Sequence, residues 1–276
     1  VEQLRLQKQE CEMNRAITAE KSHPANEVGI STRTNAQSGK HCPRSIGVSC
    51  ASCRLSELCL PIALNENEVD RLDKIVRRNR PNKKGSHLYR QGDRFKSVYA
   101  VRSGSFKSYT LTSNGRHRVA GFFLPGEIIG MGGIASKTYV SSMIALEHSS
   151  ICEIPFNQLE RLSQQLPSLQ QRFFAIMGNE IAKGQDIHTL LSDFTAEQRV
   201  ASFLLGLSSR FSRTALSVTH FRLPMSRNDI GEFLGLTLET VSRITHALQR
   251  KGIICVNYRD IELTDIEALR DVVEPT

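Results

Sequence analysis

Three cysteines fall within ten residues, Cys50-Ala-Ser-Cys53-Arg-Leu-Ser-Glu-Leu-Cys59, and a fourth, Cys152, lies far downstream in Ser150-Ile-Cys-Glu-Ile154. Thiolates are soft ligands, and they select zinc or an iron–sulfur cluster. Zinc sites usually take their ligands as closely spaced pairs. A three-plus-one spacing is nearer the iron–sulfur pattern, where a loop wraps one cluster and a remote cysteine completes it. Zinc, or a thiol–disulfide switch, is the alternative chemistry for the same side chains. Arg54, next to Cys53, is expected to offset the negative charge of such a cluster, with Leu55, Leu58 and Leu60 shielding it. Cys11 and Cys42 read as bystanders, Cys42 being a weaker alternative ligand, and Cys255 reads as a buried hydrophobe in a strand.

The second constellation is Thr237-Leu-Glu-Thr-Val-Ser-Arg243. Met225–Gly235 reads as a short helix with Ser226 as its cap and Asp229 in its first turn. Gly235-Leu236 makes a tight turn, and Thr237 caps a second helix through about Arg250, stopped by Gly252. Two short helices joined this way form a helix-turn-helix, whose second helix enters the DNA major groove. Glu239, Ser242 and Arg243 share one face of that helix, while Val241, Ile244 and Leu248 turn inward. Arg243 can fork onto guanine, Glu239 can accept from cytosine, and Ser242 suits either kind of base. Thr237, Thr240 and Arg227 suit phosphates.

The elements that must position these groups follow from the rest of the 276 residues. Residues 1–40 are polar and aperiodic and are expected to be mobile. Residues 41–64 form the cysteine-rich loop. Over 65–160, short apolar stretches alternate with glycine turns at Gly85, Gly92, Gly104, Gly115 and Gly126, which predicts a barrel or sandwich. Over 166–192, Phe174, Met177, Ile181, Gly184, His188 and Leu191 step by three and four, as in the seam of a dimerising helix pair. Residues 193–276 read as helices followed by a β-hairpin wing.

Net charge is +8 with a pI near 9.3, which favours a polyanionic partner. Asp193–Arg259 holds nine Lys/Arg against five Asp/Glu, whereas Asp260–Thr276 holds one against six. The DNA-reading segment is therefore basic and an acidic tail follows it. No apolar run has the length of a membrane span, and the start lacks the pattern of a signal peptide, so a cytoplasmic location is expected. In that compartment seven cysteines do not suggest a disulfide framework. No hydrolytic triad, phosphate-cradling glycine loop or facing carboxylate pair points to an enzyme.

From about Cys50 to Leu263 the chain resembles FNR-type regulators, the oxygen-responsive branch of the catabolite-activator (CRP/FNR) superfamily. The matching segments include Cys50-x2-Cys53-x5-Cys59, Leu64-Asn-Glu66, Arg102-Ser-Gly104, Lys107-Ser-Tyr-Thr110, Cys152-Glu-Ile-Pro-Phe156, Asp229-Ile-Gly231 and Leu234-Gly-Leu-Thr-x-Glu-Thr-x-Ser-Arg243. The resemblance implies an α+β chain: an N-terminal jelly-roll β sensor domain, a long dimerisation helix and a C-terminal winged helix-turn-helix. It implies a [4Fe-4S] cluster on Cys50, Cys53, Cys59 and Cys152, which oxygen converts to a [2Fe-2S] form. It also implies a homodimer that binds TTGAT-type palindromes in double-stranded DNA while the cluster is intact. RNA polymerase is the implied partner of exposed sensor loops, with Ser103-Gly104 in a candidate loop. Two departures stand out. The nucleotide-binding relatives grip the cyclic phosphate with an Arg, and Tyr139-Val-Ser-Ser-Met143 has none. Gly126-Glu127 is then a structural turn, and no cyclic nucleotide is expected. Family members can also place an acid where this seam has Gly184, so the cluster-free chain is expected to dimerise more readily than its relatives.

Overall fold

A computed structural model of the chain describes residues 49–111, 115, 117–214 and 217–274. The extension expected to be mobile, Cys11 and Cys42 all lie outside the described residues.

Helix α1 (Glu66–Ile75) starts at a reciprocal cap: Asn65 accepts the Glu68 N–H, and the Glu68 carboxylate accepts the Asn65 N–H. Its inward face buries Val69 and Leu72. The strands that follow are β1 (Arg77–Arg78), β2 (His87–Tyr89), β3 (Ser97–Ser103), β4 (Phe106–Leu111), β5 (His117–Phe123), β6 (Ile128–Ile129), β7 (Ser142–Ala145) and β8 (Ser150–Pro155). A one-turn helix, α2 (Gly133–Ser136), precedes β7. The strands pair antiparallel as two four-stranded sheets, in the orders β1-β8-β3-β6 and β2-β7-β4-β5. Val98, Phe106, Ile129, Met143 and Ile154 fill the space between them, the inward-facing set of a sandwich. Gly104 turns β3 into β4 at φ +73, and a Cβ there would sit 2.2 Å from Ser149 Oγ. The turn therefore needs glycine for both its dihedral and its space.

Helix α3 (Phe156–Gln165) leads to α4 (Pro167–Asp193), whose 27 residues span about 40 Å. Pro167 sits in the first turn, where no backbone donor is lost. Only Leu169 and Phe173 of this helix are buried, and both lie near its start. Of the six seam residues, Phe174 (59% exposed), Ile181 (66%), Gly184 and His188 face solvent. Met177 and Leu191 are half-buried: Met177 packs on the sandwich core, and Leu191 comes beside Gly235.

The remainder comprises α5 (Ala196–Ser212), β9 (His220–Arg222), α6 (Arg227–Leu234), α7 (Leu238–Arg250), β10 (Ile254–Asn257), β11 (Asp260–Leu263) and α8 (Ile266–Val273). The expected hairpin gains a third strand, in the order β10-β11-β9. The acidic tail holds a helix that its charge disguised: Asp265 caps it and Leu269 anchors it against α5. Cys255 lies in β10 as expected but is half-buried rather than buried, because it alternates with the inward-facing Ile254 and Val256.

Beside the core between its sheets, the sandwich contributes to a second apolar cluster with the C-terminal elements. Val119, Phe122, Leu124 and Leu146 cluster with Phe203, Leu204, Ile230 and Leu234. The Phe122 ring meets Phe203 and Phe233 edge-on at centroid distances of 5.9 and 5.3 Å. Two ion pairs flank this contact: Lys107 with Asp229, and Arg210 with Glu127 at 2.7 Å. Burial alone would raise the Asp229 carboxyl, but hydrogen bonds from Lys107 and Ser226 outweigh it and hold the group below the usual carboxylate range. No helix among the described residues is long and apolar enough to cross a membrane.

Candidate functional site

The cysteine loop is a run of tight turns. Cys53 N–H bonds to Cys50 O, Ser56 N–H to Cys53 O, and the Leu58 and Cys59 N–H groups to Leu55 O. Its two ends are tied to different elements. Asp73 of α1 accepts the Cys50 N–H at 2.7 Å. Arg172 of α4 donates to Leu58 O at 2.9 Å and to Cys59 O at 3.3 Å. Between these ties, Leu58 presses on Gly126, where a Cβ would lie only 2.9 Å from the Leu58 Cβ. Leu60, fully buried, plugs the loop into the sandwich core.

Cys152 reaches the loop from β8, where its antiparallel neighbours are Ala100 on one side and Arg78 on the other. Cys50, Cys53, Cys59 and Cys152 line a single pocket, walled by Leu55, Leu60, Leu72, Val76, Val101 and Ile154. All four thiols are half-buried and unbridged. Burial pushes the Cys59 thiol up to about 12. Burial also raises Cys50, with the Asp73 carboxylate adding to the effect. It raises Cys152 against the opposing pull of Arg78 and Arg102. Thiols held neutral in this way are slow nucleophiles, which disfavours a thiol–disulfide switch. A bound metal or cluster would have to displace these protons.

Four sulfur donors lining one pocket are a set that an iron–sulfur cluster or a soft ion such as zinc could use. Among the described residues no three His, Cys, Asp or Glu side chains converge on a point that would hold a single metal. One zinc would draw four thiolates to within about 3.8 Å of each other, given Zn–S bonds of ~2.3 Å. Arg78 Nε is buried with no acceptor among the described residues. Arg54, the cation expected from sequence, is exposed and makes no hydrogen bond to a cysteine among the described residues. Arg78 instead reaches Cys50 Sγ at 3.7 Å.

The helix-turn-helix is built as its local signals predict. Ser226 and Asp229 cap α6 reciprocally, Gly235 takes φ +66, and Leu236 N–H returns to Gly231 O at 2.8 Å. A Cβ on Gly231 would lie 2.7 Å from Leu236 O, so the turn closes only over glycine. Thr237 Oγ1 accepts the Thr240 N–H at 3.1 Å and starts α7. Val241, Ile244, Thr245 and Leu248 are buried, while Thr237, Glu239 and Arg243 are exposed and Arg227, Thr240 and Ser242 half-buried. Hydrogen bonds from its own N–H and from Thr237 hold the Glu239 carboxyl below the usual range, so it stays an acceptor. Arg199 ties the reader to the long helix. Its guanidinium donates to Leu191 O, Phe194 O and Leu234 O, uniting the ends of α4 and α6. Sequence reasoning missed this residue, since only the fold brings its three acceptors together.

At the position of the nucleotide signature, Glu127 is occupied by Arg210, and it also accepts the Leu124 N–H. Tyr89 and Tyr139 stack at 3.8 Å nearby in the sandwich, with Tyr139 OH donating to Ser97 O.

Residues 80–166 match the family model of a cyclic nucleotide-binding domain, and residues 198–272 that of a Crp-like helix-turn-helix domain. The chain is 46% identical to the transcriptional activator protein anr of Pseudomonas aeruginosa over 216 residues, 78% of this chain and 88% of that one. It is 43% identical to the fumarate and nitrate reduction regulatory protein of Escherichia coli K12 over 229 residues, 83% of this chain and 92% of that one. Among solved structures, FixK2 of Bradyrhizobium japonicum superposes with a TM-score of 0.66 at 30% identity, covering 73% of this chain and 99% of that one.

Proposed function

We propose, because the chain belongs to the CRP/FNR family of transcription regulators, that it is a regulator switched by oxygen through a labile [4Fe-4S] cluster on Cys50, Cys53, Cys59 and Cys152. With the cluster intact it binds TTGAT-type palindromes as a homodimer. The observation that carries this reading is the convergence of the four cysteines on one apolar pocket. The cluster, when bound, supplies the oxygen-sensitive chemistry; the chain's own residues convert its state into a change at DNA.

Arg172 is the first of these. Through Leu58 O and Cys59 O it joins the cysteine loop to the start of α4, so a loop held taut holds that helix. The exposed Phe174, Ile181, Gly184 and His188, continued by Met177 and Leu191, form the dimer seam. Arg199 passes the position of the helix end to the reader. On DNA, Arg243 forks onto guanine, and Glu239 and Ser242 read neighbouring bases, while Thr237, Thr240 and Arg227 hold phosphates. The Arg210–Glu127 ion pair and the missing phosphate-gripping Arg argue against cyclic nucleotide as its signal. The Ser103-Gly104 turn, with Ser103 exposed, is offered to RNA polymerase.

Iron and acid-labile sulfide per monomer, measured in protein purified without air, test the cluster. Near four of each is expected, with a charge-transfer band that bleaches in air as DNA binding falls. Colourless protein, or stoichiometric zinc, discards the cluster and keeps the regulator. Gly184 tests the seam. Gly184→Asp sets two carboxylates against each other across a parallel pair, and we expect the dimer dissociation constant to rise at least about tenfold, ~1.4 kcal/mol. Unchanged sedimentation would remove Gly184 from the interface.

A further inference from the structure

We infer that Arg78 is the fixed counter-charge of the cysteine pocket, a positioning residue whose guanidinium donates to ligand sulfur and offsets the negative charge of the bound cluster. The inference rests on the cluster reading above.

Four observations place it there. Arg78 Nη2 lies 3.7 Å from Cys50 Sγ, in donating geometry. The β1–β8 register sets Arg78 directly opposite Cys152, so one side chain adjoins both the first and the last of the four cysteines. Asp73 ion-pairs with Arg78 and accepts the Cys50 N–H. The guanidinium and the start of the loop are thus held by one carboxylate. Finally, Arg78 Nε is buried without an acceptor among the described residues, leaving a donor spare beside a pocket whose lining, apart from its four cysteines, Ser56 and Arg102, is apolar.

The electrostatics require such a residue. A [4Fe-4S] cluster in its +2 core state with four thiolates is dianionic, and a partly buried anion is costly unless paired. Asp73 adds a further negative charge beside it. Arg54 is exposed, and Arg172 spends its donors on carbonyls. Arg102 lines the pocket but makes no hydrogen bond to a sulfur among the described residues. Arg78 is therefore the cation that meets a sulfur atom, and outer partners of this kind typically govern metal retention by 10- to 100-fold.

The test separates charge from scaffolding. Full-length protein is purified without air as wild type, Arg78→Met, Arg78→Lys and Asp73→Asn. Iron release to excess ferrous chelator is followed under anoxia, with far-ultraviolet circular dichroism to verify folding. We expect Arg78→Met to lose iron about 10- to 100-fold faster and its charge-transfer band to shift, as a hydrogen bond to sulfur is removed. Arg78→Lys keeps the charge and stays closer to wild type. Asp73→Asn, which also breaks the ion pair but removes a negative charge, releases iron no faster than wild type. If Arg78→Met releases iron at the wild-type rate, or if Arg78→Met and Asp73→Asn accelerate alike, the counter-charge role is overturned and the pair is scaffold only. Wild-type protein devoid of iron and sulfide overturns the cluster reading itself, a result the variants cannot mimic.

Discussion

Cys152→Ala is expected to yield a folded protein with iron and sulfide near zero. The residue sits mid-strand in β8, flanked by Ala100 and Arg78, and it is half-buried. Replacing its sulfur by hydrogen removes about one methylene's worth of buried surface, ~1 kcal/mol, and the ladder hydrogen bonds of β8 are unaffected. The loop, however, carries only three cysteines. It cannot close the site alone, because the fourth ligand is what ties it to the sandwich. Specific DNA affinity under anoxia should fall about 5- to 150-fold, the usual span of coupling between two sites, and exposure to air should change nothing further. Circular dichroism, iron content and DNA binding on one preparation check all three. Retained iron would point to a different fourth ligand.

Arg243→Leu is expected to leave the iron untouched and to weaken specific DNA binding by ~1–3 kcal/mol, about 5- to 150-fold. Arg243 is exposed on α7, six residues past the Thr237 cap, and no acceptor among the described residues holds it. Its loss therefore changes the surface rather than the fold. The signature is selective: discrimination should relax at one base pair of each half-site. Thr237→Ala should instead weaken binding evenly across sequences, as for a lost phosphate contact. Binding to a panel of operators with single changes distinguishes the two patterns. Unchanged affinity and selectivity for Arg243→Leu would shift the reading face of α7.

The contrast between these two sites mirrors what the sequence discloses. Thr237, Ser226, Gly235 and Gly252 are legible because a cap or a left-handed turn is decided within a few residues. The cysteines of the loop are legible because their spacing is local. Arg78 and Arg172 are not. Arg172 and Cys59 lie 113 residues apart, and Lys107 and Asp229 lie 122 apart, distances at which no periodicity carries a signal. The last helix hid behind its charge, because six acids in the tail obscured the apolar contacts of Leu269. Strand β9 is three residues long with one buried, too short to show alternation.

Phe122, seated between Phe203 and Phe233, has a consequence for how the protein comes apart. A sensor and a reader joined only by a linker would each keep a private core and lose it at its own temperature. Here the sandwich keeps a core between its sheets, but it also shares a second apolar cluster with the helix-turn-helix, braced by two ion pairs. Their unfolding is therefore coupled. Cutting the chain before α5 would free a reader with the Phe122-binding faces of Phe203 and Phe233 open to water, a surface prone to aggregate. The reader's solubility and its obedience to the sensor thus depend on the same aromatic contact.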